Sequence, residues 1–155
     1  MNYRRAKKGE IEALVELRLA YFAATGRGQD EEIEQVKKQL PDYFARHVEK
    51  DLFCYIAEEE GRLIGSAFLI VIEKPANLSF PHGRVGTVLN VYTDKEYRNK
   101  GIAKNLMKML IEDGKKMGLD YVSLEATKAG YPVYKKVGFQ EEKSEYISMK
   151  YDYLI

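Results

Sequence analysis

The residues that decide the architecture run from Val88 to Gly118 and read "VLNVYTDKEYRNKGIAKNLMKMLIEDGKKMG". An apolar, strand-like run stops at Thr93, a short charged loop follows, and Gly101 opens a segment with helical periodicity. In that segment Ile102, Ala103, Leu106, Leu110 and Met117 face inward, while Lys104, Lys108 and Lys115 face outward. A helix N-terminus exposes unpaired N–H groups at its positive dipole end, so a basic loop there is suited to phosphate. Gly101 lacks a Cβ and Ala103 is small, which permits close approach. Arg98, Lys100 and Lys104 add charge, and the N–H groups of Asn99 to Lys104 can converge on one anion. The spacing Arg-x-x-Gly-x-Ala is neither the ATPase phosphate loop nor the dinucleotide fingerprint. Taken alone, it also fits a plain connection with a solvated rim.

Working outward, "NYRRA" reads as a short strand, and Ile11, Leu14, Val15, Leu17, Tyr21 and Phe22 mark a first helix ending at "TGRGQ". Asp30 is placed to cap a second helix carrying Ile33, Val36, Leu40, Phe44 and Val48, with a kink or break expected at Pro41. "LFCYIAEEEGRLIGSAFLIVIE" reads as a β-hairpin, and Glu73 to Arg84 as an irregular loop. A strand follows from Val85 to Thr93. Beyond the central helix, "GLDYVSLEAT" reads as a strand, "AGYPVYKKVGF" as a short helix ended by Gly138, and "EYISMKYDYLI" as a closing strand. The strand–helix–strand unit demands a parallel crossover and the hairpins demand antiparallel pairing. The expected fold is a single α/β (α+β) domain with a mixed sheet flanked by helices.

The chain has 155 residues, enough for one domain with a core. Its formal net charge of +1 argues against nucleic-acid or membrane-surface binding. Cys54 is the only cysteine and lies in an apolar strand pattern, which reads as packing in a reducing compartment, with cytoplasmic location expected. His47 reads as structural and His82 as a loop residue near the acceptor side; no metal-ligand spacing is present.

"VYTDKEYRNKGIAKNLM" resembles the signature of the GNAT superfamily of N-acetyltransferases, Arg/Gln-x-x-Gly-x-Gly/Ala after a strand and opening a helix. About thirty residues on, that family has a small residue, then Tyr, then Gly-Phe; here these are Gly130, Tyr134, Gly138 and Phe139. The resemblance implies acetyl-CoA held between two splayed parallel strands. Arg98, Asn99, Lys100, Gly101, Ile102, Ala103 and Lys104 would cradle the pyrophosphate. Val91 and Thr93 would offer backbone groups to the pantetheine arm, Thr127 is placed to hydrogen-bond it, and Tyr92 and Gly130 are further coenzyme-binding candidates. It further implies Tyr134 as proton donor to the leaving thiolate and the Val91 N–H as oxyanion donor.

An alkylammonium with a pKa near 10.4 is neutral only about one part in a thousand or less at pH 7, so a base or a water chain must take its proton. Many family members carry a carboxylate on the strand before the loop, but here Asn90 stands there. Glu125, opposite the apolar face of "YVSLEAT", and ordered water are the alternatives. A second departure is Thr127, where many relatives have Asn. The expected activity is direct acetyl transfer from acetyl-CoA to a primary amine of a small molecule or peptide, without metal. A non-catalytic acyl-CoA sensor is the alternative, and both a monomer and a homodimer fit.

Overall fold

The computed structural model describes residues 1–26 and 30–154; the expected Asp30 side-chain cap and the 27–29 connection lie outside them. Elements follow in the order β1 (Asn2–Arg5), α1 (Ile11–Ala24), α2 (Asp30–His47), β2 (Leu52–Glu59) and β3 (Arg62–Glu73). Then come β4 (Arg84–Thr93), α3 (Ile102–Lys116), β5 (Tyr121–Ser123) and α4 (Tyr131–Lys136). The sheet runs β1-β2-β3-β4-β5, antiparallel except for the parallel β4–β5 pair. The expected mixed α/β sheet is therefore present.

Two apolar layers cover the sheet. On one face α3 buries Ile102, Leu106, Met107 and Leu110 against Tyr55, Ala57, Ala67 and Leu69. Full burial of one such leucine contributes about 2–3 kcal/mol. On the other face Leu14 and Leu17 of α1 and Leu40 and Phe44 of α2 meet Cys54, Ile56 and Phe68. Strand alternation explains the division, since Cys54 and Ile56 point to one layer and Tyr55 and Ala57 to the other. Cys54 is fully buried, and burial pushes its thiol well above the usual range, so it is packing, as the sequence implied.

α3 ends where Gly118 takes φ +73°, with Lys115 and Lys116 in its last turn beside the negative dipole end. Gly114 lets that helix approach Leu119 and Val122, which a Cβ would meet at 3.4 and 3.5 Å.

Two expectations need correction and one is narrowed. Of the kink or break expected at Pro41, the break does not occur: α2 continues through it as one helix of 18 residues. The Pro ring removes one N–H, yet the apolar stripe of the helix is continuous with the core and outweighs that local loss. The strand in "GLDYVSLEAT" is only Tyr121–Ser123, because its neighbour β4 turns away beyond Thr87. The closing strand does not form among the described residues: 140–151 have no sheet partner there, and Tyr146 to Tyr151 are exposed. Alternation defines an apolar face but does not select an edge, and among the described residues β5 keeps β4 as its one strand neighbour.

Candidate active site

β4 and β5 pair at Val85–Tyr121, Gly86–Val122 and Thr87–Ser123, and then part. The cause lies partly in β4 itself. Its ladder with β3 shifts between Ser66 and Phe68, which leaves an extra residue on β4. Asn90 occupies this bulge with φ +54° and only 2% exposure. Its amide Nδ2 donates to Ser66 Oγ at 3.2 Å and to the Leu17 carbonyl at 3.4 Å. Its carbonyl accepts from Ser66 Oγ at 2.8 Å, and its Oδ1 accepts from Arg18 at 3.2 Å. An ionised carboxylate here could not donate to Leu17, so the departure at Asn90 has a structural meaning: the amide fastens the bulge to α1.

The loop after β4 is organised locally. Asp94 accepts from the Glu96 N–H to cap a 3-10 turn at Lys95–Tyr97, and pairs with Arg62. Arg98 folds back so that Nε donates to the Thr93 carbonyl at 3.1 Å. Asn99 and Gly101 both take the left-handed region, φ +64° and +78°. Such alternation turns successive N–H groups toward one concavity. Gly101 is the N-cap of α3 without a side-chain cap, and the first turn of α3 carries no acidic residue. The positive end of the dipole is left open to a ligand.

A cavity of about 600 Å³ joins this helix start to the β4–β5 gap. Val91, Tyr92, Thr93, Arg98, Asn99, Gly101, Ile102, Ala103 and Lys104 line one side, and Thr127, Gly130 and Tyr134 line the other. Twelve of the fourteen residues singled out from the sequence thus meet around one space. Lys100 is not on the lining; its ammonium sits 5.4 Å from the Tyr97 ring. Glu125 lies beyond the end of β5, exposed and off the cavity wall, so the strand alternation used to orient it does not extend that far. Thr127 is engaged: its Oγ1 accepts from the Gly130 N–H at 3.1 Å, and its carbonyl from Tyr131.

Tyr134 is 8% exposed and makes an edge contact with Phe139 at 6.1 Å between centroids. Among the described residues its hydroxyl has no hydrogen-bond partner. Burial, helped by the nearby Tyr21, pushes its pKa up to about 12, which keeps the phenol protonated at neutral pH. Gly130 makes room for the ring; a Cβ there would meet it at 2.7 Å.

Tyr21, Thr25 and Tyr97 also line the cavity. Sequence reading missed them because Tyr21 fitted the core face of α1 and Thr25 seemed only to end it. Arg18, one turn earlier on α1, is not on the lining and reaches the site only through its hydrogen bond to Asn90. His82 is not in the cavity: its ring and N–H both bond Asp120, at 2.6 and 2.9 Å, tying its loop to the turn before β5. His47 bonds Asp51 at 2.7 Å across the end of α2. Among the described residues no His/Cys/Asp/Glu cluster is suited to a metal, and no helix is long and apolar enough to cross a membrane.

Residues 11–139 match the model of the "Acetyltransferase (GNAT) family". A glucosamine 6-phosphate N-acetyltransferase of Arabidopsis thaliana is 29% identical over 146 residues, covering 94% of this chain and 90% of its own. One from Trypanosoma brucei brucei is 31% identical over 96 residues, covering 61% of this chain and 60% of its own. Among solved structures, a predicted acetyltransferase from Clostridium acetobutylicum with acetyl-CoA is similar at TM-score 0.84 and 32% identity, covering 96% and 95% of the two chains.

Proposed function

Because the chain belongs to the GNAT family of acetyltransferases and transfers acetyl from acetyl-CoA to an amine, we propose a specific division of labour within its cavity. The observation that carries the proposal is the single space joining the open end of α3, the edge of β4 and the Tyr134 hydroxyl. The loop from Arg98 to Lys104 seats the pyrophosphate of the coenzyme, and Val91 to Thr93 hold the pantetheine arm. The neutral amine attacks the thioester carbon, forming the C–N bond. The carbonyl oxygen becomes an oxyanion and accepts from the Val91 N–H. The C–S bond then breaks, and the thiolate takes the Tyr134 proton. The amine proton leaves through water, which restores Tyr134; Glu125 stands too exposed to be needed. Holding amine and thioester together supplies much of the rate. The reaction occupies one domain, and the buried lone thiol fits work in the cytoplasm.

The acceptor carries an anionic group, carboxylate or phosphate. Arg18 supports this reading. Its guanidinium is half-buried, stacks 4.6 Å from the Phe22 centroid and donates to Asn90 beside the reaction point. Burial lowers its pKa, and it makes no ion pair among the described residues. A desolvated cation without a counter-charge is costly, and an anionic acceptor would supply the missing charge. The plant and trypanosome relatives are named for such an acceptor, an amino sugar bearing phosphate.

The test is thiol release from acetyl-CoA with paired acceptors: glucosamine 6-phosphate against glucosamine, and amino acids against their amides. The anionic member of a pair is expected to be preferred, and Arg18→Ala to raise its KM about 10- to 100-fold, the worth of a charged hydrogen bond of roughly 1.5–3 kcal/mol. Equal use of both members by wild type and variant would refute the role of Arg18. Absence of thiol release with every amine would refute the assignment of catalysis.

A further inference from the structure

The hydrogen bonds around Asn90 dictate which way its amide points. Nδ2 faces two acceptors, the Leu17 carbonyl at 3.4 Å and Ser66 Oγ at 3.2 Å. The Ser66 hydroxyl proton is committed to the Asn90 carbonyl at 2.8 Å, so toward the Asn90 side chain that oxygen accepts. The other end of the amide, Oδ1, faces the Arg18 guanidinium at 3.2 Å. The position needs a donor toward Leu17 and Ser66 and an acceptor toward Arg18, and an amide carries one of each.

The same geometry leaves the charge of Arg18 whole. Around its guanidinium stand Tyr21 and Phe22 of α1, with ring centroids 5.9 and 4.6 Å from Cζ, Tyr43 of α2 and the Asn90 amide of β4. Rings and an amide orient a cation without cancelling its charge. Arg4, Arg5, Arg46 and Arg62 each pair with a carboxylate, whereas among the described residues none pairs with Arg18. Arg18 is half-buried, so part of it stays open to a ligand.

We propose that Asn90 sets the charge of the acceptor: being neutral, it aims Arg18 without neutralising it, and so selects an amine that bears an anionic group. This rests on the reading of Arg18 given above. Asn90 is 2% exposed and acts through Arg18, which makes it a positioning residue. A carboxylate at the same 3.2 Å would form an ion pair, and in a half-buried place opposite charges attract several times more strongly than in water. The Ser66 hydroxyl can turn to donate to it, so the fold has a way to accept the exchange. Arg18 would then hold its counter-charge inside the protein, and an anionic acceptor would meet a neutral pair.

The test is thiol release from acetyl-CoA with glucosamine 6-phosphate and with glucosamine, read as the ratio of the two kcat/KM values. Wild type is compared with Arg18→Gln, Asn90→Asp and Asn90→Gly. Glycine adopts φ +54° without strain, so Asn90→Gly removes the amide and adds no charge. The wild type is expected to favour the phosphorylated amine at least about tenfold, through KM, as one charged hydrogen bond allows. Arg18→Gln and Asn90→Asp are each expected to bring the ratio close to one, and Asn90→Gly to keep the preference. Any effect of the new carboxylate on proton transfer acts on both acceptors and cancels in the ratio. A purely structural tie predicts the reverse order, with glycine, which loses every side-chain bond, the more damaging change. A preference that survives Asn90→Asp but not Arg18→Gln overturns the proposal and leaves the reading of Arg18 standing. Loss of the preference in Asn90→Gly overturns it in the same way. A wild type without preference, or a preference that survives Arg18→Gln, overturns both. If Asn90→Asp fails to fold, Asn90→Gly beside Arg18→Gln still decides.

Discussion

Gly101 allows the coenzyme seat to be separated from simple backbone strain. Two glycines at opposite ends of α3 share one conformation: Gly101 at φ +78° and Gly118 at φ +73°. A Cβ at either position meets no atom within 4 Å, so an alanine at either is strained only by its backbone. The left-handed region costs a non-glycine residue about 1 kcal/mol, which lowers Tm by about 2–4 °C in a chain of this size. Gly101→Ala and Gly118→Ala should therefore lose similar amounts without ligand. Gly101→Glu adds a negative charge at the pyrophosphate seat. At about 4 Å and an effective dielectric of 20 that repulsion is about 4 kcal/mol, and solvent at this exposed loop reduces it to about 2. Coenzyme affinity should then fall about 30-fold. At a coenzyme concentration 100 times the wild-type Kd, ligand stabilisation drops from about 2.7 to about 0.9 kcal/mol. The assay is thermal unfolding with and without acetyl-CoA, with ATP as control. Gly118→Ala should keep the full shift and Gly101→Glu should lose most of it. A folded Gly101→Glu protein with the wild-type shift would refute the seat.

Two further predictions concern protons. Tyr134→Phe should lower kcat at least tenfold while changing coenzyme affinity little, since a raised pKa leaves Tyr134 a proton donor at neutral pH. An unchanged single-turnover rate would remove it from that role. Glu10 receives a two-pronged bond from Arg4 at 2.7 and 2.8 Å, which holds its carboxyl down at about 2 from 4.5. The folded state thus binds this proton less readily than the unfolded chain. The stabilisation is full above about pH 5 and disappears as pH falls through 4.5 toward 2. Glu10→Gln should therefore be less stable than wild type near neutral pH, with the gap closing on acidification in urea melts. A gap independent of pH would refute the linkage.

The strand–loop–helix unit was legible because its determinants are local. Basic residues, a glycine and an apolar helical stripe fall within Thr93 to Leu110 and need no distant partner to be interpreted. Tyr134 was legible through its spacing to Gly138 and Phe139. The bulge at Asn90 was not, because it arises from register against Ser66, 24 residues away. Tyr21 was read as core because a residue lining a cleft and one filling a core share the same helical face. Glu125 was oriented by alternation along a strand that β4 does not support that far. The C-terminal pattern was read as a strand and none forms there, because a pattern defines a face and says nothing of which edge will receive it.

The bulge changes the parity of β4. Before it, Val88 belongs to the α3 layer and Leu89 to the layer of α1 and α2; after it, Val91 belongs to the α3 layer and Tyr92 to the other. Regular alternation would have given Val91 and Tyr92 the opposite faces. The side on which the last residues of β4 present themselves is thus set by a count: one residue more than β3 provides for. Residue identities at Val91 to Thr93 can drift without moving the site, whereas a single-residue insertion or deletion upstream on this strand would turn the rail over. Along this strand the chain tolerates spelling changes far better than frame changes.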